Sequence, residues 1–244
     1  MLTPLKIPEG VTSIGSTAFA DCSALTEFVI PNSVTSGIGL FTFHNCTSLR
    51  KITIGNSVSK IGELAFSNCS ALTEVIIPNS VTLIDESAFS GCSNVTKVVI
   101  GDGVTTIKSN AFASCKNLKY LVIGRSVESF ESNFYTCDNL ETVVSLIPQA
   151  YDIKAGCFTK KAYANATLYV PEGTINQYKM AEGWKEFMSI VEGVPTAISA
   201  PAANVSDGME MERYTISGKR ISSPQPGVNV VKMSDGTVKK VLVK

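Results

Sequence analysis

LTEVIIPNSVTLIDESAFSGCSNV, residues 72–95, spans one full turn of a repeat, because Val95 opens the next turn in the place that Leu72 holds. Seven cysteines set the ruler, at positions 22, 46, 69, 92, 115, 137 and 157, with gaps of 24, 23, 23, 23, 22 and 20 residues. Periods of about 20–29 residues mark solenoids built from coils that cannot bury their apolar side alone. The fold class expected is therefore a β-rich repeat solenoid with short helical turns and a period of about 23 residues.

Each coil repeats one apolar skeleton. A leading row runs Leu25, Leu49, Leu72, Val95, Leu118 and Leu140, and three residues on come Phe28, Ile52, Val75, Val98, Leu121 and Val143. A third row holds Ile30, Ile54, Ile77, Ile100 and Ile123, until Ser145 breaks it. This LxxLxL spacing lays one short strand per coil beside the strand of the coil before. Pro31, Gly55, Pro78, Gly101 and Gly124 then end the strands, as turn residues do. A second inward pair follows, from Val34 with Ile38 to Val127 with Phe130, and then an AFxxC segment expected to form a short helical turn. Its Phe19, Phe43, Phe66, Phe89, Phe112 and Phe134 each stand three residues before a cysteine. An inserted Gly37 and a residue missing before Phe134 account for the gaps of 24 and 22.

The chain enters in register, with Leu2, Leu5, Ile7 and Pro8 on the places of Leu72, Val75, Ile77 and Pro78, and Pro4 in what would be an edge strand. That abrupt entry reads as a fragment cropped of a cap and an export signal, and no cleavable leader is seen. The organisation expected is a solenoid over 1–145, a final repeat and cap over 146–194, a linker over 195–208 and a small all-β module over 209–244. In the cap, Thr174 is placed to N-cap a helix through Met180, with Tyr178, Trp184 and Phe187 as the area that covers the last coil. PTAISAPAANVSD, from Pro195, lacks an apolar period, whereas MERYTIS, GVNVVKM and TVKKVLVK alternate as strands, with a turn at Ser234-Asp235-Gly236.

Composition narrows the function. The chain is 44% hydrophobic and 17% charged with a formal net charge of zero, which argues against a phosphate-binding basic surface and hence against nucleic acid. No stretch is long enough to span a bilayer. An odd number of cysteines in one repeat place reads as small buried apolar residues, since stacked strands about 4.8 Å apart do not bring Cβ atoms to disulfide distance. No CxxC pair exists and His44 is the only histidine, so no metal or cofactor is expected. Nucleophile elbow, phosphate loop and HExxH motifs are all missing, and His44 reads as a surface residue, so an enzyme is not expected.

Side chains alternate across a strand, so two rows beside the second inward place face outward. One runs Pro4, Glu27, Lys51, Glu74, Lys97, Tyr120 and Thr142; the other Lys6, Val29, Thr53, Ile76, Val99, Val122 and Val144. Alternating charge in the first row favours one register by pairing across strands. The second row is expected to be an exposed β-branched stripe, explicable by strand propensity or as a contact surface rimmed by charge. The candidate binding face comprises Glu27, Val29, Lys51, Thr53, Glu74, Ile76, Lys97, Val99, Tyr120 and Val122.

The strings IPEGVTSIGSTAFADCSALTEFVIPNSV and LTEVIIPNSVTLIDESAFSGCSNVTKVVI resemble the BspA-like leucine-rich repeats of bacterial and some protozoan surface proteins. Leu168 to Gly193 is similar to the closing unit that follows such arrays. The segment with Gly218-Lys219-Arg220, Gly227 and Lys239 to Lys244 resembles C-terminal sorting or anchoring modules of Bacteroidetes secreted proteins, although Asn229 stands where an aromatic is common. The resemblance implies an exported protein at the cell surface or outside the cell, with a protein ligand and a role in adhesion to host or bacterial proteins. The alternative is a structural spacer that displays another domain.

Overall fold

The computed structural model describes residues 5, 7–8, 10–154 and 156–193, and beyond them the backbone of the strands between 210 and 243. The chain divides into two compact units, Met1–Ala202 and Ala203–Lys244. The expected linker over 195–208, Pro4, Lys6 and the turn at Ser234-Asp235-Gly236 lie outside the described residues.

The first unit is a solenoid with two parallel ladders. The main ladder uses the LxxLxL strands: β1 (Glu27–Val29), β2 (Lys51–Thr53), β4 (Glu74–Ile77), β6 (Lys97–Ile100), β8 (Tyr120–Ile123) and β10 (Thr142–Ser145). It continues into β11 (Thr167–Val170) and β12 (Ser189–Glu192). The second ladder joins four two-residue strands, β3 (Lys60–Ile61), β5 (Leu83–Ile84), β7 (Thr106–Ile107) and β9 (Ser129–Phe130), in chain order. Equivalent repeat positions are paired in both, for example Val75 with Val98 and Ile84 with Ile107.

Between the ladders lies a core that is nearly dry. The third-row isoleucines and the Val34, Val58, Val81 and Val104 row are all at most 1% exposed. Rings from the AFxxC segments stack along the solenoid, with centroids 5.1 Å apart for Phe43 and Phe66, 5.0 Å for Phe66 and Phe89, and 5.3 Å for Phe89 and Phe112. Gly101 ends its strand where a Cβ would come within 2.6 Å of the Ile77 carbonyl, so close approach of coils, as well as turn chemistry, selects glycine there.

The short turn expected at AFxxC is present, with hydrogen bonds from residue i to i−3. Cys69 N–H donates to the Phe66 carbonyl at 3.2 Å and Ser67 N–H to Leu64 at 3.1 Å. Intervening amides leave the coil instead, Phe66 N–H to Ala88 O at 2.7 Å and Asn68 N–H to Ser90 O at 2.7 Å, so no α-helix closes. This alternation requires left-handed residues twice per coil, as at Leu64 (φ 54°) and Asn68 (φ 61°). Where the coil is a residue short, the Asn133 side chain substitutes for backbone, accepting from Ala111 N–H at 3.0 Å and donating to Glu131 O at 2.9 Å.

Six of the cysteines keep the repeat place, and Cys157 does not. Phe158 stacks on Phe134 at 5.4 Å, which puts Cys157 in the place of Ala65, Ala88 and Ala111. Cys22, at the first coil, is exposed, unlike the buried thiols that follow it. Each regular buried thiol donates to the phenylalanine carbonyl of the previous coil, Cys69 to Phe43 at 3.1 Å and Cys92 to Phe66 at 3.2 Å.

The last coil is closed by α1 (Lys160–Asn165) and α2 (Ile175–Met180), with Tyr178, Trp184 and Phe187 buried. Thr159 caps α1, accepting from Ala162 N–H at 3.0 Å. Thr174 takes the N-cap position of α2 but not the expected bond: its hydroxyl donates to Pro171 O at 2.6 Å, and Glu192 accepts from Ile175 N–H instead. Ser145, the break in the third row, is a seat for the cap, since its hydroxyl lies 2.6 Å from that of Tyr178, which donates to Ile147 O at 2.9 Å.

The second unit is an antiparallel sheet of β13 (Glu210–Thr215), β14 (Arg220–Ile221), β15 (Gly227–Met233) and β16 (Val238–Val243), ordered β14, β13, β15, β16.

Candidate binding face

The main ladder determines where the candidate residues lie. Glu27 and Lys51 are partners across β1 and β2, and Glu74, Lys97 and Tyr120 are successive partners across β4, β6 and β8. Val29 pairs with Thr53, and Ile76, Val99 and Val122 follow one another in the same way. Both outward rows thus run across the strands, with Phe28, Val75, Val98 and Leu121 turned into the core between them.

Exposure along the second row differs from the expected stripe. Val29 is 49% exposed and Thr53 and Ile76 are half-buried, but Val99 falls to 6% and Val122 to 1%. Val99, Val122 and Val144 form an apolar cluster separate from the main core, with Ile76, Tyr120, Leu146 and Tyr169 packed against it. The large side chains Tyr120, Leu146 and Tyr169 gather at this end, and the valines between them lose their water. Desolvation pushes the Tyr120 hydroxyl up to about 12, and that oxygen has no hydrogen-bond partner among the described residues. Val99 and Val122 are therefore not free surface, and the accessible part of the face is its first half.

Charge in the first row is also uneven. Glu74 and Lys97 close an ion pair at 2.7 Å, whereas Glu27 and Lys51, both exposed, make none among the described residues. Elsewhere Lys108 pairs with Asp85 at 3.0 Å and lifts its own pKa in doing so, while that partner and the Glu86 amide hold the Asp85 carboxylate low against burial.

The face is not continuous at β2. The ladder pairs β1 with β2 and separately runs from β4 to β12, with no pairing between β2 and β4. Ile30 N–H donates to Thr53 O at 2.8 Å across β1 and β2, but Ile54 N–H, its equivalent one coil on, finds no acceptor among the described residues. Ile52 is correspondingly half-buried, where Phe28 and Val75 in the same row are 2% and 0% exposed. The repeat pattern alone gives no sign of this seam, because Lys51 to Ile54 has the same apolar spacing as every other coil.

Chemistry at a point is poorly provided for. Burial pushes the Cys92 and Cys137 thiols up to about 12, leaving them protonated and weakly nucleophilic at neutral pH. His44 is half-buried, with its ring edge-on to Phe41 at 5.1 Å. Among the described residues no group of His, Cys, Asp and Glu is arranged to hold a metal ion, and no helix is long and apolar enough to cross a membrane.

Comparison with known proteins gives the family. Residues 1–84 and 65–179 match the BspA type leucine rich repeat region in six copies. The pneumococcal vaccine antigen PcpA is similar in structure, with a TM-score of 0.53 at 17% identity, over 78% of this chain and 41% of that one. A T. pallidum leucine rich repeat protein aligns at 24% identity and TM-score 0.48 over 68% of this chain and 71% of its own. One from Bacteroides ovatus aligns at 21% and 0.31 over 79% of this chain and 68% of its own. No curated protein matches the chain. The six-copy match, which runs from residue 1 to residue 179, makes this chain a member of the BspA type leucine-rich repeat family.

Proposed function

We propose that the chain is a non-enzymatic protein-binding module, secreted or held at a bacterial cell surface, that adheres to host or bacterial proteins through the sheet face of its solenoid. The observation that carries this reading is the outward row whose first half, Val29, Thr53 and Ile76, stays accessible beside charged Glu27 and Lys51. A ladder offering apolar side chains rimmed by charge suits contact over neighbouring strands, and solenoids use extended surfaces in this way. Family membership supports an interaction role, and the buried thiols offer no competing catalytic centre.

The test is binding to a panel of purified extracellular-matrix and bacterial surface proteins by surface plasmon resonance, with Val29→Asp and Ile76→Asp as the probes. Both variants are expected to keep the circular dichroism of the parent and to lose at least about tenfold in affinity, which corresponds to about 1.4 kcal/mol. Equal binding by parent and both variants would reject the sheet face. Failure of the parent to bind any member would favour the spacer reading.

A further inference from the structure

We propose that the solenoid has a second docking surface, on the AFxxC edge of the coils of Cys46 and Cys69, and that it takes a basic polypeptide segment in which Lys or Arg stands near a large apolar residue. The surface lies outside the sheet face and does not depend on it. Backbone geometry singles it out. The first left-handed place of successive coils holds Thr17 (φ 59°), Phe41 (55°), Leu64 (54°), Ser87 (54°) and Asn110 (61°). Short polar side chains can bond locally in that conformation, as the Thr17 hydroxyl does in donating to Ser16 O at 2.7 Å. A bulky apolar residue gains no such bond and is strained there, so its use at an exposed edge points to what the side chain meets outside the coil. Phe41 and Leu64 both stay half-buried and outside the core cluster. They are neighbours, because Phe41 N–H donates to Glu63 O at 3.1 Å and Leu64 N–H to Glu86 O at 3.0 Å. Leu40 beside them is 40% exposed, and the Phe41 ring lies edge-on to His44 instead of joining the ring stack. Leu40, Phe41 and Leu64 thus make an apolar step where the next two coils present Glu86, Ser87, Ser109 and Asn110.

Charge identifies the occupant. The row of Leu40 continues as Glu63 and Glu86, both exposed and neither in an ion pair among the described residues. The cations of this edge are drawn to another acid, since Lys108 pairs with Asp85 at 3.0 Å and Lys60 acts on the same carboxylate. No Lys or Arg stands in the rows from Ser16 to Ser109 and from Thr17 to Asn110. Two uncommitted carboxylates beside an apolar step favour a cation that arrives with an apolar side chain, and they repel an acidic segment. Spacing fits an extended chain. Neighbouring coils are set apart by the distance of their stacked rings, 5.1 Å for Phe43 and Phe66, so an apolar residue over Phe41 and a base over Glu63 or Glu86 would stand about two or three residues apart.

The experiment has two parts. Urea unfolding of an F41N/L64N variant is expected to give a midpoint no lower than the parent's, because Asn suits the left-handed place better than Phe or Leu. A lower midpoint would assign the two side chains to packing and overturn the proposal. A random heptapeptide phage library is then panned against the full chain, and enriched peptides are measured by fluorescence anisotropy. They are expected to place Lys or Arg within three residues of a large apolar residue and to weaken with added salt. Their affinity should fall at least about tenfold for F41N/L64N and for E63K/E86K, the latter changing only exposed side chains and checked for folding by circular dichroism. Val29→Asp, on the sheet face, should leave it unchanged. Neutral or acidic sequences, basic ones that bind either double variant as well as the parent, or an absence of enrichment would each overturn this surface. Peptides that lose affinity with Val29→Asp instead would belong to the sheet face, and that result would overturn it too.

Discussion

Tyr178 connects the cap to the coil beneath through two hydrogen bonds in a dry setting, one with Ser145 Oγ at 2.6 Å and one to Ile147 O at 2.9 Å. Removing its hydroxyl strands two buried groups, so Tyr178→Phe should cost about 1–3 kcal/mol in urea unfolding. Ser145→Ala in the same chain removes one stranded group, and the double variant should therefore lose less than the sum of the singles; strict additivity would mean the pair is not coupled. Thiols act on the same scale through pH. Cys92 and Cys137 are raised from 9.0 to about 12 and Tyr178 from 10.0 to about 12, in each case chiefly by burial of what would become a charged form. The folded state holds these protons while the unfolded chain releases them, so this stability is complete below pH 9 and declines as pH rises toward 12. Each fully buried thiol loses about 1.4 kcal/mol per pH unit across that window. Urea midpoints should accordingly be level from pH 7 to 8.5 and drop steeply by pH 11, with a gentler fall for Cys92→Ala. A midpoint unchanged at pH 11 would contradict the burial of these groups.

At the scale of elements, the phenylalanine stack unites the coils. Phe89 lies 5.0 Å from Phe66 and 5.3 Å from Phe112, with planes within 4° of parallel, so truncating it removes packing from two interfaces at once. Phe89→Ala should cost about 3–5 kcal/mol, seen as a lower thermal or chemical midpoint. Phe89→Leu should recover part of that loss, and an alanine variant with an unchanged midpoint would show the stack to be dispensable. Strands, inward rows and this stack were all legible in the sequence, since each follows from a position repeated at a fixed interval and stacking multiplies the same contact. What escaped notice is what repetition cannot encode. Cys157 matches the cysteine ruler yet sits in an alanine place, because Phe158 and not a residue before it enters the ring stack. The seam between β2 and β4 is a relation between neighbours whose individual patterns are regular. Val99 and Val122 have the alternation of exposed residues, but Tyr120 on the strand of Val122, with Leu146 and Tyr169 from farther along the chain, determines whether water reaches them. Ser145 was visible as an anomaly, and its meaning needed Tyr178, distant in sequence, to come into contact with it.

For the whole solenoid, nearest-neighbour stacking implies that a complete coil is the unit of gain and loss. Deleting residues 72–94 joins Ala71 to Val95 and restores every apolar row in phase, so the shortened chain should fold with a lower urea midpoint and a smaller m-value. Removing only 72–83 puts strand positions against turn positions and should leave the chain unfolded by circular dichroism. The outward charges add a finer distinction. With the coil gone, Lys97 loses its ion-pair partner Glu74 and the residue before it in the charged row becomes Lys51, a like charge. Opposite charges at such positions contribute about 0.2–1 kcal/mol and like charges oppose pairing. Adding Lys97→Glu to the shortened chain should therefore raise its stability by that amount, whereas the same substitution in the full chain breaks the Glu74 ion pair at 2.7 Å and should lower it. The opposite signs of one substitution in two chain lengths separate a register-setting role for the charged row from a general effect of the residue. Equal signs would show that the alternation of Glu27, Lys51, Glu74 and Lys97 does not help define which coils are neighbours.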